Sequence, residues 1–224
     1  MIPVYINHYL PLTERKNYLD MALINLENKI WVIEPDKDQI TDEMLDKWYD
    51  PSPKEWARKC KKYYKEIPPW RLMKKSDISC SLGHILAWED FVKTGSGRFA
   101  LFLEDDVIFK IGFETELQNI VNNAPQDADV VFIGGGFDHT IAKTIRQNGE
   151  YFLKEHPATN CLCSYMLTRE ASKRLVEIAQ KFTLPIDFEA NYWFDQLGFN
   201  IYHKIPYIAQ EGTAMGVYQS VQTR

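Results

Sequence analysis

Apolar positions along the chain fall into short continuous runs and longer helical stripes, and the two alternate from the start. Pro3-Val4-Tyr5-Ile6-Asn7 reads as a short buried strand. Tyr18, Leu19, Ala22, Leu23 and Leu26 then recur at helical spacing, and Ile30-Trp31-Val32-Ile33 forms a second strand. A strand, a crossover helix and another strand are the building block of a parallel sheet covered by helices. Residues 41–75 differ, being charged, aromatic and without a strand candidate. Ser52-Pro53-Lys54-Glu55 starts a helix there, because Ser caps, Pro fits the first turn and Glu reaches back to close a capping box. Ile67-Pro68-Pro69 breaks that helix. The stretch is expected to be a helical insertion whose far end approaches the cleft.

The pattern next predicts a helix from Asp77 to Thr94, stopped by Gly95, with Ile78, Leu82, Ile85, Leu86 and Val92 on its apolar stripe. Asp77, Ser81, His84 and Trp88 form the stripe beside it. Phe99-Ala100-Leu101-Phe102-Leu103 is uninterrupted, as expected of a central strand buried on both faces. A helix over Phe113–Asn123, the strand Val130–Ile133 and Gly134-Gly135-Gly136 follow. Asn148-Gly149, between Ile141 and Ile145 on one side and Tyr151 and Leu153 on the other, predicts a tight hairpin. Leu162–Leu167 is a strand, Thr168 caps a helix containing Leu175, Val176 and Ile178, and a last helix covers Glu189–Leu197. A short strand at Asn200–His203 and an irregular tail close the chain. No repeat and no Gly/Ser linker appears, so the reading is one α/β domain over residues 1–224 with a central, mostly parallel sheet.

Composition narrows the function classes. The 224 residues are 45% hydrophobic and 25% charged, with a formal charge of −5, which disfavours nonspecific nucleic-acid binding. The basic run Arg58-Lys59-Cys60-Lys61-Lys62 is expected to be a solvated helix face. Cysteines at 60, 80, 161 and 163 make neither a disulfide framework nor a zinc pattern, so reduced, buried thiols are expected. The first residues lack the basic and apolar regions of a signal peptide, and no run approaches the ~20 apolar residues of a membrane span. A cytoplasmic or soluble protein is the expectation.

The chemistry concentrates where the apolar strand runs into Glu104-Asp105-Asp106. Adjacent carboxylates repel, more so in a low dielectric, and three of them at a strand end call for a cation. Hard divalent ions such as Mn²⁺ or Mg²⁺ take carboxylates together with phosphate oxygens and water. Open α/β sheets place ligands beyond the carboxyl ends of their strands, where this triplet lies. A metal bridging a diphosphate suggests group transfer from a nucleotide-activated donor.

Four segments, in order, resemble glycosyltransferase family 25, the group of lipooligosaccharide and collagen hydroxylysine galactosyltransferases. They are Val4-Tyr5-Ile6-Asn7 through Arg15; Asp77-Ile78-Ser79-Cys80-Ser81-Leu82-Gly83-His84 with Trp88-Glu89; Leu103-Glu104-Asp105-Asp106-Val107; and Tyr165-Met166-Leu167-Thr168-Arg169 with Ala171, Leu175, Pro185-Ile186-Asp187, Pro206 and Gln210. The second departs from the family's G-E-I-G-C-A-L-S-H, with Gly83 standing where Ser usually precedes the His. The resemblance implies a GT-A, Rossmann-like domain with a DXD-like motif, a metal-dependent UDP-sugar donor, a glycan or protein hydroxyl acceptor, and inversion at the anomeric carbon. It implies Asp106 and Glu104 at the metal, with Glu104 alternatively at the donor ribose, and Asp105 at the sugar hydroxyls. Ile6, Asn7, Arg15, Ser81 and His84 are expected at the donor, and Asp187 as general base with Asp195 as its rival. Gln210 and His203 are candidates for a further phosphate or metal contact. A non-catalytic binding domain of the same fold, and a metal-dependent phosphohydrolase or nucleotidyltransferase, are the competing readings. Trp48, Trp56, Trp70 and Tyr63-Tyr64 in the insertion are candidate stacking surfaces for the acceptor.

Overall fold

In the computed structural model, which describes residues 2–63, 69–135, 143–155 and 161–220, the opening unit forms as the pattern predicts. Strand β1 (Val4–His8), helix α1 (Thr13–Ala22) and strand β2 (Lys29–Ile33) make a parallel crossover. The insertion follows as α2 (Asp42–Trp48) and α3 (Pro53–Tyr63), then α4 (Lys75–Thr94) and β3 (Phe99–Glu104), which pairs parallel with β1. Next come β4 (Val107–Phe109), α5 (Phe113–Asn123), β5 (Val130–Phe132), β6 (Gly134–Gly135) and the hairpin β7 (Thr144–Asn148) and β8 (Tyr151–Lys154). The chain ends through β9 (Ser164–Thr168), α6 (Arg169–Ile178), α7 (Ile186–Gln196), β10 (Ile201–Lys204) and β11 (Ala209–Glu211).

Eight strands form the main sheet in the order β2-β1-β3-β9-β5-β10-β8-β7. Pairing is parallel across β2-β1-β3 and between β5 and β10, while β9 runs antiparallel to both β3 and β5 and makes the sheet mixed. A second sheet, β4-β11-β6, stands where the chain continues past β3 and β5. The tail read as irregular therefore contains a strand, one too short for apolar periodicity to show.

Side chains on the two faces of the main sheet alternate, as the pleat requires. Tyr5, Ala100, Phe102, Tyr165 and Phe132 pack against α4, α6 and α7. Val4, Ile6, Leu101, Leu103, Val131 and Met166 pack against Leu19 and Leu23 on the α1 side and Leu117 and Ile120 of α5. Helix α4 is buried on most of its circumference, so the Ser81–His84–Trp88 stripe is as covered as the apolar one, and Leu86, expected inside, is exposed.

Other expectations shift in detail. Helix α7 begins at Ile186, which puts Asp187 in its first turn, and the hairpin turn falls on Gly149 and Glu150, with Gly149 at φ 59°. The basic run of α3 is not wholly solvated. Lys59 is buried, paired with Glu189 and 3.2 Å from the Thr183 hydroxyl, and Cys60 packs with Trp56 and Leu184. Glu189 also accepts the Thr183 and Leu184 backbone N–H groups at 2.9 and 3.0 Å, so one ion pair fastens the insertion to the loop that delivers α7. Ile67, Pro68, Gly136, Ile141 and Tyr64 lie outside the described residues.

Candidate active site

Parallel pairing puts Asn7 of β1 opposite Glu104 of β3, so both strands end at one level and the chain past them opens into a cleft of about 310 Å³. The turn after β3 sends its three carboxylates in different directions. Asp105 turns toward α1, where Oδ1 accepts Arg15 Nη1–H at 2.7 Å and Oδ2 contacts His8 Nδ1 at 2.8 Å and the Tyr9 N–H at 3.2 Å. Both its oxygens are thus committed inside the protein. Asp106 is held from the other side, its carbonyl accepting Gly212 N–H at 2.8 Å and its Oδ2 accepting the Thr213 hydroxyl. Its Oδ1 is buried with no hydrogen-bond partner among the described residues.

Glu104 faces α4, with Oε1 3.2 Å from His84 Nε2. Burial, and then the charge of Asp106, push the Glu104 carboxyl well above its usual range. Asp187, at the start of α7, is raised to about 7 by burial. Glu34, just past β2, is raised to about 8 by burial and next by Asp105. Glu211 of β11 is raised by burial and by Asp106. Asp77, Arg15, Lys37, Tyr9, Cys80, Cys161 and Thr213 complete this part of the lining. Arg15 is already taken by Asp105, so the cleft holds far more acid than base.

That arrangement tests whether a divalent cation fits. Carboxylates from three strand ends and a helix start converge, their pKa values are lifted by burial and mutual repulsion, and one buried oxygen of Asp106 lacks a partner. An oxygen-rich, electron-dense donor set of this kind suits a hard ion.

Of the residues singled out in the sequence, Arg15, Glu104, Asp105, Asp106 and Asp187 line this cleft. The others do not. Ile6 is wholly in the core on the α1 face. Asn7 lies behind the cleft, its amide nitrogen donating to the Gly83 carbonyl at 3.1 Å. Ser81 spends its hydroxyl on the Asp77 carbonyl at 2.8 Å, and His84 sits fully buried behind Glu104. Asp195 is at the far end of α7, two turns from Asp187. His203 stacks on Phe132 and contacts the Tyr207 hydroxyl at 2.7 Å. Gln210 is exposed, and strand alternation gives the cleft its neighbour Glu211 instead. Among the tryptophans, Trp56 is buried, Trp48 packs against the core and Trp70 is exposed.

Sequence reasoning passed over Glu34, Glu211 and Thr213, and gave Cys80 no place in the site. Glu34 carried a signal, since it follows an apolar strand as Glu104 does. Gly134 admits β11 at close range: a Cβ there would meet Ser164 Cβ at 2.9 Å and Ala209 Cβ at 3.0 Å.

Residues 13–189 match the family model described as glycosyltransferase family 25 (LPS biosynthesis protein). No curated protein matches the chain. Solved structures that the chain matches include A197 from STIV, at 14% identity over 91% of this chain and 81% of that one, TM-score 0.41. A mannose-1-phosphate geranyltransferase from Thermus thermophilus shares 11% identity over 95% and 76%, TM-score 0.48. Mouse xyloside xylosyltransferase 1, in its apo form, shares 12% over 88% and 71%, TM-score 0.35. Among the described residues, no helix is long and apolar enough to cross a membrane.

Proposed function

The chain belongs to glycosyltransferase family 25, and from that premise we propose that it is an inverting enzyme moving a hexose, galactose or glucose, from a UDP-sugar to a hydroxyl of a glycan or protein acceptor. The observation that carries the donor half of this reading is the buried Oδ1 of Asp106, a residue lining the acidic cleft, which has no partner among the described residues. Asp106, with Glu104 beside it, would hold Mn²⁺ or Mg²⁺, which when bound neutralises the departing diphosphate.

This chain's own residues supply the rest. Thr213 and the Gly212 N–H fix the Asp106 turn before any ligand arrives. Arg15 is pinned by Asp105 and by its 3.0 Å donation to the Gln219 carbonyl, which places a positive charge at the cleft wall. Asp187 acts as the base. Its carboxylate accepts the acceptor's hydroxyl proton as the new C–O bond forms, while the bond to the diphosphate breaks and its electron pair leaves with the phosphate oxygen. A carboxyl raised to about 7 by burial is a stronger base than an exposed one and still ionises near neutral pH.

Incubation with Mn²⁺ and a panel of UDP-sugars, reading UDP release, tests the proposal. Slow, metal-dependent donor hydrolysis that vanishes in Asp106→Ala is the expected result. Asp187→Asn should keep UDP binding and lose transfer. Failure of every nucleotide sugar to bind in calorimetry sinks the reading, and leaves either a glycan-binding domain or a metal-dependent phosphohydrolase.

A further inference from the structure

The side of the cleft opposite Asp105 carries a different kind of donor set. Cys80 and His84 lie one turn apart on the same face of α4, and Glu104 meets them from the end of β3. One potential ligand atom from each, a sulfur, a ring nitrogen and a carboxylate oxygen, lies within 4.8 Å of the other two. We propose that Cys80, His84 and Glu104 form a binding site for a thiophilic divalent cation of the Zn²⁺ class, one that shares Glu104 with the oxygen donors around Asp106.

Two observations support it. The His84 ring is oriented from behind. Its Nδ1 is 2.9 Å from the Tyr165 hydroxyl, whose oxygen already accepts Trp88 Nε1–H at 2.9 Å. A hydroxyl oxygen has two lone pairs, so it can accept Nδ1–H as well, and that tautomer turns the Nε2 lone pair toward Glu104. Metal-binding histidines are held in this way, by a partner on the other ring nitrogen.

The contact between Nε2 and Glu104 Oε1, at 3.2 Å, is the second. In that tautomer the Nε2 lone pair and a Glu104 oxygen lie within reach of one cation. The mixed sulfur, nitrogen and oxygen set matches a three-ligand zinc site with an open fourth position, whereas Mg²⁺ and Mn²⁺ favour oxygen alone. Cys80 lines the cleft, which gives the ion an entry path. On binding, the sulfur–metal bond forms as the thiol proton departs to water, so charge and atoms balance.

The site rests on these contacts and not on the sugar-transfer reading, so its test uses no nucleotide. The full chain is titrated with Co²⁺ under reducing conditions, reading absorbance. One equivalent should bring up a thiolate-to-cobalt charge-transfer band and intense visible bands of a low-coordinate ion, and one equivalent of Zn²⁺ should remove both. Cys80→Ser, nearly isosteric, should lose the charge-transfer band, while Cys161→Ser, altering the other cleft cysteine, should retain it. Glu104→Gln should weaken Zn²⁺ binding roughly tenfold or more. Absence of the band in the native chain, or its survival in Cys80→Ser, overturns the proposal.

Discussion

Arg15 and Asp105 are ninety residues apart in the chain and 2.7 Å apart in the fold, both almost wholly buried. The pair couples α1 to the acidic turn, and His8 and the Tyr9 N–H complete the cage around the same carboxylate. One member of the acidic triplet is therefore a brace, and its neighbours on either side are left to face the cleft.

Asp105→Asn should accordingly be a stability mutation before it is an activity mutation. It leaves the Arg15 guanidinium buried beside a neutral amide and takes an acceptor from His8. Breaking a buried pair from one side costs about 3–5 kcal/mol. Urea denaturation of the metal-free protein should show a lower midpoint at unchanged slope. A loss under about 1 kcal/mol would be the size of a surface pair and would refute the brace.

Asp106→Asn should do the reverse. Burial and Asp105 raise the Asp106 carboxyl, so in the absence of a cation its charge opposes folding. The amide keeps the shape and can still accept from Thr213. Thermal unfolding in EDTA should show a melting temperature equal to or above that of the native chain, while Mn²⁺-dependent UDP binding disappears. A melting temperature well below the native value would mean that the carboxylate is structural.

The contrast between these neighbours marks how far the sequence could be read. A strand buried on both faces and ending in acid is a local signal, and Leu103–Asp106 announced the cleft unaided. Which carboxylate faces which way depends on a turn and on α1 and β11, elements distant in sequence, so Asp105 looked like a sugar ligand. Glu34 obeys the strand-end rule that exposed Glu104, with a less continuous apolar run before it. Glu211 sits on a three-residue strand whose place is set by pairing with β4 and β6, which no periodicity records. Lys59 read as solvated because its partner, Glu189, is 130 residues away. His84 was noticed for its spacing, and the structure gives that spacing a different use, behind Glu104.

The raised carboxyls also fix the sign of the pH dependence. Asp187 and Glu34 titrate near 7 and 8 when folded and near 3.8 and 4.5 otherwise. Between those values the folded chain binds more protons than the unfolded one, so stability falls as pH rises. Their contribution is complete below about pH 4 and gone above about pH 8. Melting temperatures in EDTA should fall across that interval, and saturating Mn²⁺ should flatten the slope by neutralising the ionised cluster. A metal-free melting temperature that rises over the same interval would contradict the burial assigned to these two groups.

Gly83 offers a test of how this chain departs from its relatives. The family pattern has Ser before the His, but a Cβ at Gly83 would sit 2.9 Å from Glu34 Cγ and 3.4 Å from Asn7 Cγ. Glycine here is thus the counterpart of Glu34 reaching over α4 toward Cys80. Gly83→Ser should cost about 1–3 kcal/mol, the range of overpacking in a close-packed interior. Glu34→Ala removes the atom in the way, so the serine should cost much less in that background, and a double-mutant cycle read by urea denaturation would show positive coupling. Additive effects would place the serine's cost elsewhere, on the Asn7 side of the helix.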